Sequence, residues 1–166
     1  MNQTVSTTVK ASGIGDLCIL IANIHAISKS VGSPVVVFAQ KSTRASSILK
    51  NDPFVKKVVE LDKKGFFNII KKIKPYKFDQ SYIFSDSIRL YLISKISAKK
   101  VFHYKFFSKK GKNFYKTAKE FTEKTLNVEI DPQSKIYCNK DDIEQAKKKF
   151  NISDSTRNII CGISAS

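Results

Sequence analysis

Two periodicities alternate along the first 126 residues, and that alternation leaves this chain few folds to choose from. A first strand is expected over 3–10, where Val5, Thr7 and Val9 fall on one side. Residues 16–31 then place Leu17, Leu20, Ile21, Ile24 and Ile27 on one helical face, and Gly32-Ser33-Pro34 ends that helix. The unbroken run Val35-Val36-Val37-Phe38-Ala39 has no polar side, the pattern of a strand covered on both faces. Further strands at 55–61, 80–84 and 99–104 alternate with helices at 43–50, 66–74, 86–97 and 113–126. Strand-helix-strand repeats of this kind require parallel strands joined by right-handed crossovers. The expected class is α/β: an open, mainly parallel Rossmann-like sheet with helices on both faces.

The last forty residues break this rhythm. Asp131-Pro132 interrupts it, Lys135-Ile136-Tyr137-Cys138 is expected as a short strand, and residues 141–150 form a charged helix. A polar linker at 151–156 precedes Asn158-Ile159-Ile160-Cys161-Gly162-Ile163, which has the character of a new buried strand. The expected organisation is a Rossmann-like domain over 1–128, a connecting strand, helix and linker over 129–156, and the first strand of a truncated second domain over 157–166.

Composition narrows the partners. The formal charge is +16, carried by 27 Lys and only three Arg (Arg44, Arg89, Arg157). Arginine makes the bidentate contacts to phosphate and guanine, so a lysine excess speaks for solvated faces rather than a specific nucleic-acid site. No run of 18 apolar residues occurs, and Met1-Asn2-Gln3-Thr4 lacks the features of a signal peptide, so a cytoplasmic protein is the expectation. Cys18, Cys138 and Cys161 are odd in number and widely spaced, which predicts buried free thiols. His25 and His103 have no cysteine or carboxylate at ligand spacing, so neither a metal nor a cofactor is expected.

The turn between the first strand and the first helix, Ser12-Gly13-Ile14-Gly15-Asp16, is the leading candidate site. A helix N-terminus at the carboxyl end of a parallel strand offers amide donors and a positive dipole end. It is no dinucleotide fingerprint, because Cys18 stands where the third glycine belongs and Gln40-Lys41 where an acid should follow the second strand. Asp16 fits two roles: a helix cap, which its position alone favours, or a general base taking a proton from a hydroxyl nucleophile. The helix end stabilises the carboxylate, so the roles coexist only if the proton moves late, once bond formation has acidified the hydroxyl. Ser85 and Ser87 suit helix capping or sugar contacts, and Arg89 suits either solvent or an acceptor phosphate or carboxylate. The loop from Tyr104 to Lys112 interleaves three aromatics with lysines, which fits a membrane surface or phosphorylated glycolipid and equally the core packing of Phe106 and Phe107.

The run Lys10-Ala11-Ser12-Gly13-Ile14-Gly15-Asp16-Leu17 resembles the N-terminal signature of the bacterial heptosyltransferases, the family-9 glycosyltransferases of the lipopolysaccharide core. Asn51-Asp52-Pro53, Lys77-Phe78-Asp79 with Ser85-Asp86-Ser87-Ile88-Arg89, Ala98-Lys99-Lys100-Val101 and the closing Asn158 to Ser166 resemble later family segments in the same order. Leu20-Ile21-Ala22 departs from the small polar residues and proline usual in the family's first helix. The resemblance implies the N-terminal half of a GT-B fold, with an acceptor site here and a nucleotide-sugar donor held by a second domain. It implies that Asp16 is the base of an inverting, metal-independent transfer. Ser12, Gly13, Gly15, Ser85, Ser87 and Arg89 would contact an anionic glycolipid or glycan acceptor, with peripheral contact at the inner membrane. A fragment without the donor domain would be inactive. The competing expectation is a stand-alone basic α/β module that binds nucleic acid or anionic lipid without chemistry.

Overall fold

The computed structural model describes residues 4–9, 13–61, 66–106, 113–131 and 133–153. Strands β1 (Val5–Val9), β2 (Val35–Gln40), β3 (Val55–Leu61), β4 (Phe78–Phe84) and β5 (Ala98–His103) form one parallel sheet in the order β3-β2-β1-β4-β5. β1 is central, and all five of its residues are buried although three are Ser6, Thr7 and Thr8. The Ser6 hydroxyl answers its own burial by donating to Ser81 Oγ on β4 at 3.0 Å. The apolar run of β2 is buried from Val35 to Ala39, as its composition requires. The two edge strands carry exposed lysines, Lys56 and Lys57 on β3 and Lys99 and Lys100 on β5. Charge at a sheet edge opposes pairing with another chain, so part of the lysine excess has a structural use.

Helices α1 (Ile14–Val31), α2 (Ala45–Ile48), α3 (Phe66–Ile73), α4 (Ile88–Ser97), α5 (Phe114–Leu126) and α6 (Lys140–Phe150) complete the described fold. One core lies between the sheet and α1 with α5, where Leu17, Leu20, Ile24 and Phe121 meet Val9, Val37, Tyr82 and Phe84. The other holds Ile73 of α3 and Ile93 of α4 against Val36, Phe38 and Phe78. Helices therefore cover both faces of an open parallel sheet, as the alternation predicted. α1 is long and apolar enough by composition to cross a membrane, yet half of it is buried in this core. Thr122 Oγ1 on α5 donates to Asn23 Oδ1 on α1 at 2.9 Å, a buried bond that fixes the two helices' register.

Local signals set the helix ends. Gly32, at φ 69°, turns the chain out of α1 while its N–H donates to the last carbonyls. Asn113 and Asn139 cap α5 and α6, each side-chain oxygen accepting from a backbone N–H three residues on. The helix expected over 43–50 is shorter than its pattern suggested. A 3₁₀ turn occupies Lys41–Thr43, Arg44 takes a left-handed conformation, and α2 is a single turn.

Two expectations are corrected. Residues 135–138 are not a strand: Lys135, Ile136 and Cys138 are largely solvent-facing, and the segment runs beside α1, where Ser134 Oγ donates to the Cys18 carbonyl at 2.6 Å. A strand needs a partner with open ladder groups, and a helix offers none along its side. The thiols are not buried either, since Cys18 is half-buried and Cys138 exposed, both free. Residues 157–166, with Cys161, lie outside the described residues.

α1 is anchored at its far end as well. His25 Nε2 and Asp52 Oδ2 are 2.7 Å apart in a buried pair, and Asp52 Oδ1 accepts from the Phe54 N–H at 2.9 Å. Phe54 and Tyr137 pack their rings 4.7 and 5.9 Å from the imidazole. The Asn51-Asp52-Pro53 segment thus joins α1 to the start of β3.

Candidate active site

From β1 the chain builds outward through β2 and β3, then crosses back to lay β4 on the other side of β1. Where the order reverses, the crossover helices diverge and leave a crevice beyond the carboxyl ends of the strands. Val9 and Phe84 are in register across β1 and β4, so the turns that follow them emerge side by side. An open cleft of about 500 Å³ lies there, lined by Asp16, Phe84, Ser85, Asp86, Ser87, Tyr104 and Phe114.

The structure places Asp16 in this cleft and removes it from the cap. α1 begins at Ile14 with Gly13 in the extended cap conformation, and Leu17 N–H closes the first turn on the Gly13 carbonyl at 3.4 Å. Asp16 is therefore the third residue of the helix, where the amino-terminal dipole favours a negative charge. Neither Gly13 nor Gly15 has a neighbour within 4 Å of the position a Cβ would take. Neither glycine is among the described residues that line the cleft. Ser12 lies outside the described residues.

Ser85 and Ser87 divide the two tasks foreseen for them. Ser85 is buried, and its Oγ accepts from the Ser87 N–H at 3.1 Å, so it shapes the turn. Ser87 occupies the cap position of α4, yet its side chain makes no capping bond and lines the cleft. Arg89 is exposed in the first turn of α4 and is not among the lining residues.

The sequence reading missed Asp86, Tyr104, Phe114 and His103 as parts of this site. Asp86 is an exposed second carboxylate in the lining. Tyr104 is buried, which pushes its phenol above the ordinary range; a hydrogen bond with Thr117 opposes that shift and the Asp86 charge adds to it. His103 ends β5 at 3 % exposure, with Nε2 lacking any hydrogen-bond partner. Burial lowers its pKa, while hydrogen bonding to the backbone of Ser85 and Ser87 and the nearby Asp86 charge act the other way. The imidazole sits beneath the Ser85–Ser87 turn, with the Tyr91 and Phe106 rings 5.3 and 5.7 Å away. The signal available in sequence was positional: Asp86 and Tyr104 lie just past strand ends.

Among the described residues the lining contains two carboxylates, hydroxyls and three aromatic rings, and no lysine or arginine. Such a surface can accept a proton from a hydroxyl and pack the apolar face of a sugar ring. Its described side chains supply no cation for an anion. Among the described residues no three His, Cys, Asp or Glu side chains gather as a metal site.

Neither a family model nor a curated protein matches this sequence. The fold does match solved structures. A glycosyl transferase family 9 protein from Veillonella parvula superposes with a TM-score of 0.69 at 14 % identity, over 93 % of this chain and 52 % of that one. The E. coli heptosyltransferase WaaC, solved with ADP-2-deoxy-2-fluoro heptose and with ADP, gives 0.56 at 10 % identity in both cases. Those superpositions cover 75 % of this chain and 49 % and 48 % of the WaaC chains. The chain spans about half the length of these structures and shares their α/β glycosyltransferase fold over that half.

Proposed function

We propose that this chain is the acceptor-binding half of a heptosyltransferase-type glycosyltransferase. One observation carries the reading: on a fold shared with family 9 glycosyltransferases, the reversal of strand order brings the Asp16 turn and the Ser85–Ser87 turn to a single cleft. An acceptor glycan lies in that cleft with one ring against Phe114 and its nucleophilic hydroxyl toward Asp16. The hydroxyl oxygen attacks the anomeric carbon of a nucleotide sugar from the side opposite the leaving group. The new carbon–oxygen bond forms as the bond to the nucleoside diphosphate breaks, the diphosphate keeps that electron pair, and Asp16 takes the hydroxyl proton. Configuration at the anomeric carbon inverts, and no metal is needed in the lining. The donor, an ADP-sugar or similar nucleotide sugar, is held by a second domain. The acceptor is of the lipopolysaccharide-core type, and the protein works at the cytoplasmic face of the inner membrane.

The stand-alone anion-binding module is the weaker reading, because the described residues of the cleft include two carboxylates and no cation. The test pairs binding with turnover. Titrating a core oligosaccharide into labelled protein should shift the amide resonances of Ser85 to Ser87 and of the first turn of α1. In the full-length gene product, Asp16→Asn should lower transfer by about 100-fold or more while leaving those shifts in place. Turnover retained by Asp16→Asn would remove the base assignment, and a titration that leaves the cleft resonances unmoved would remove the acceptor site.

A further inference from the structure

α4 departs from the pattern of an ordinary surface helix. Its inner side buries Leu90 and Ile93 against the sheet, but its outer side is apolar too: Ile88, Leu92 and Ile96 are 54, 56 and 58 % exposed. At spacings of four they form one stripe along the helix. On the helical wheel Lys95 borders that stripe on one side and Arg89 on the other. Lys95 lies over the Tyr91 ring at 5.4 Å, and the exposed Phe106 meets the same ring edge-on at 6.3 Å. The apolar surface therefore continues from α4 onto the turn after β5.

Charge on this side is mainly positive. Arg89, Lys95 and Lys105 are exposed here, while Lys99 pairs with Asp79 at 2.7 Å beside Ile96 and Lys100 lies over the Phe102 ring on the opposite face of β5. An apolar stripe between long basic side chains fits a bilayer interface, where the stripe enters the acyl boundary and the cations reach lipid phosphates. A second copy of this chain fits poorly, since pairing the two faces would bring the Arg89, Lys95 and Lys105 side chains of both copies together on molecules of formal charge +16. Placement adds to the case. Ser87 lines the cleft, and Ile88, the next residue, begins the stripe, so the mouth of the cleft borders this face.

We infer that the outer face of α4, extended by Phe106, is a docking surface for an anionic phospholipid bilayer and holds the cleft mouth at the headgroup level. Docking itself does not depend on the transfer reading; delivery of a lipid-borne acceptor to Asp16 rests on it.

Flotation with vesicles tests the surface. The protein should float with phosphatidylglycerol-containing vesicles and bind pure phosphatidylcholine about tenfold or more weakly, because each basic residue near an anionic surface contributes separately. Leu92→Gln with Ile96→Gln, both at exposed positions, should cut binding to the anionic vesicles about tenfold or more and leave the thermal midpoint unchanged. Lys95→Gln with Lys105→Gln should do the same and flatten the salt dependence. Equal binding to both vesicle types, or full binding by the Leu92/Ile96 variant, would overturn the inference. Self-association that the Leu92/Ile96 variant abolishes, without flotation, would overturn it in favour of a second copy. Vesicle binding that persists while a soluble oligosaccharide leaves the Ser85–Ser87 resonances unmoved would uphold the docking face and remove the acceptor reading.

Discussion

Asp52 offers the sharpest test of how α1, and with it Asp16, is held. Its carboxylate is buried and accepts twice, from His25 Nε2 at 2.7 Å and from the Phe54 N–H at 2.9 Å. Asp52→Ala removes both bonds and leaves two buried donors without an acceptor, and water has little access to replace it. Hydrogen bonds to charged groups contribute about 1.5–3 kcal/mol each, and breaking a buried pair costs about 3–5 kcal/mol. The two figures overlap, because they count the same interactions, and about 3 kcal/mol is the working value. For a chain of this size that corresponds to a fall in thermal midpoint of roughly 6–12 °C. Asp52→Asn keeps an oxygen for the Phe54 N–H, so it should cost about half as much. The assay is urea unfolding followed by circular dichroism, on Asp52→Ala, His25→Ala and the double variant. The double variant should be more stable than the sum of the single losses predicts, by about 1.5 kcal/mol. A loss under about 1 kcal/mol for Asp52→Ala, or strictly additive single variants, would refute the reasoning.

Three further outcomes follow from the site and the sheet. Asp86→Asn should reduce transfer by no more than about tenfold, against about 100-fold or more for Asp16→Asn; the reverse order in a kinetic comparison would move the base role to Asp86. His103 has a folded pKa below its ordinary 6.5, so the unfolded chain binds the extra proton first as pH falls. Its contribution is fully present above pH 6.5 and is lost below it, and His103→Phe should flatten the stability profile on that acid side in urea titrations at stepped pH. Asp79 is lowered to about 2, first by its hydrogen bond from Lys99 and then by those from Thr4. It supports the fold above its ordinary 3.8 and ceases to as pH falls toward 2, so Asp79→Asn should weaken acid unfolding in that window.

The fold was legible in the sequence where composition and geometry coincide. Val35 to Ala39 admits little besides a strand covered on both faces, and that is what β2 is. Leu17, Leu20, Ile21, Ile24 and Ile27 fixed the inner face of α1, and all five are buried. The strand expected at Lys135 to Cys138 failed because residue preference says nothing about whether a partner edge is within reach. The cleft was legible only in part. Asp16, Ser85 and Ser87 stand out because they follow strands and precede helices. Phe114 is distant in sequence from all of them, and His103 acts from below the turn. Only the register of β4 and β5, pairing Ile83 with His103, brings it there.

The sign of the charge in the cleft decides which substrate of a sugar transfer belongs in it. A nucleoside diphosphate departs carrying negative charge on its phosphates, and catalysis requires cations or oriented donors where that charge develops. Among the described residues the lining holds Asp16 and Asp86 and no lysine or arginine, so a diphosphate placed in it would face two carboxylates. Repulsion of that kind would raise the barrier to bond breaking instead of lowering it. A neutral hydroxyl meets the opposite situation, since it becomes a better nucleophile as a carboxylate accepts its proton. In the proposed reaction the acceptor therefore occupies this cleft, and the groups that stabilise the leaving diphosphate come from outside its lining. The basic residues of this chain do not fill that role from α4, because Lys95 flanks an outward-facing apolar stripe and Arg89 is absent from the lining.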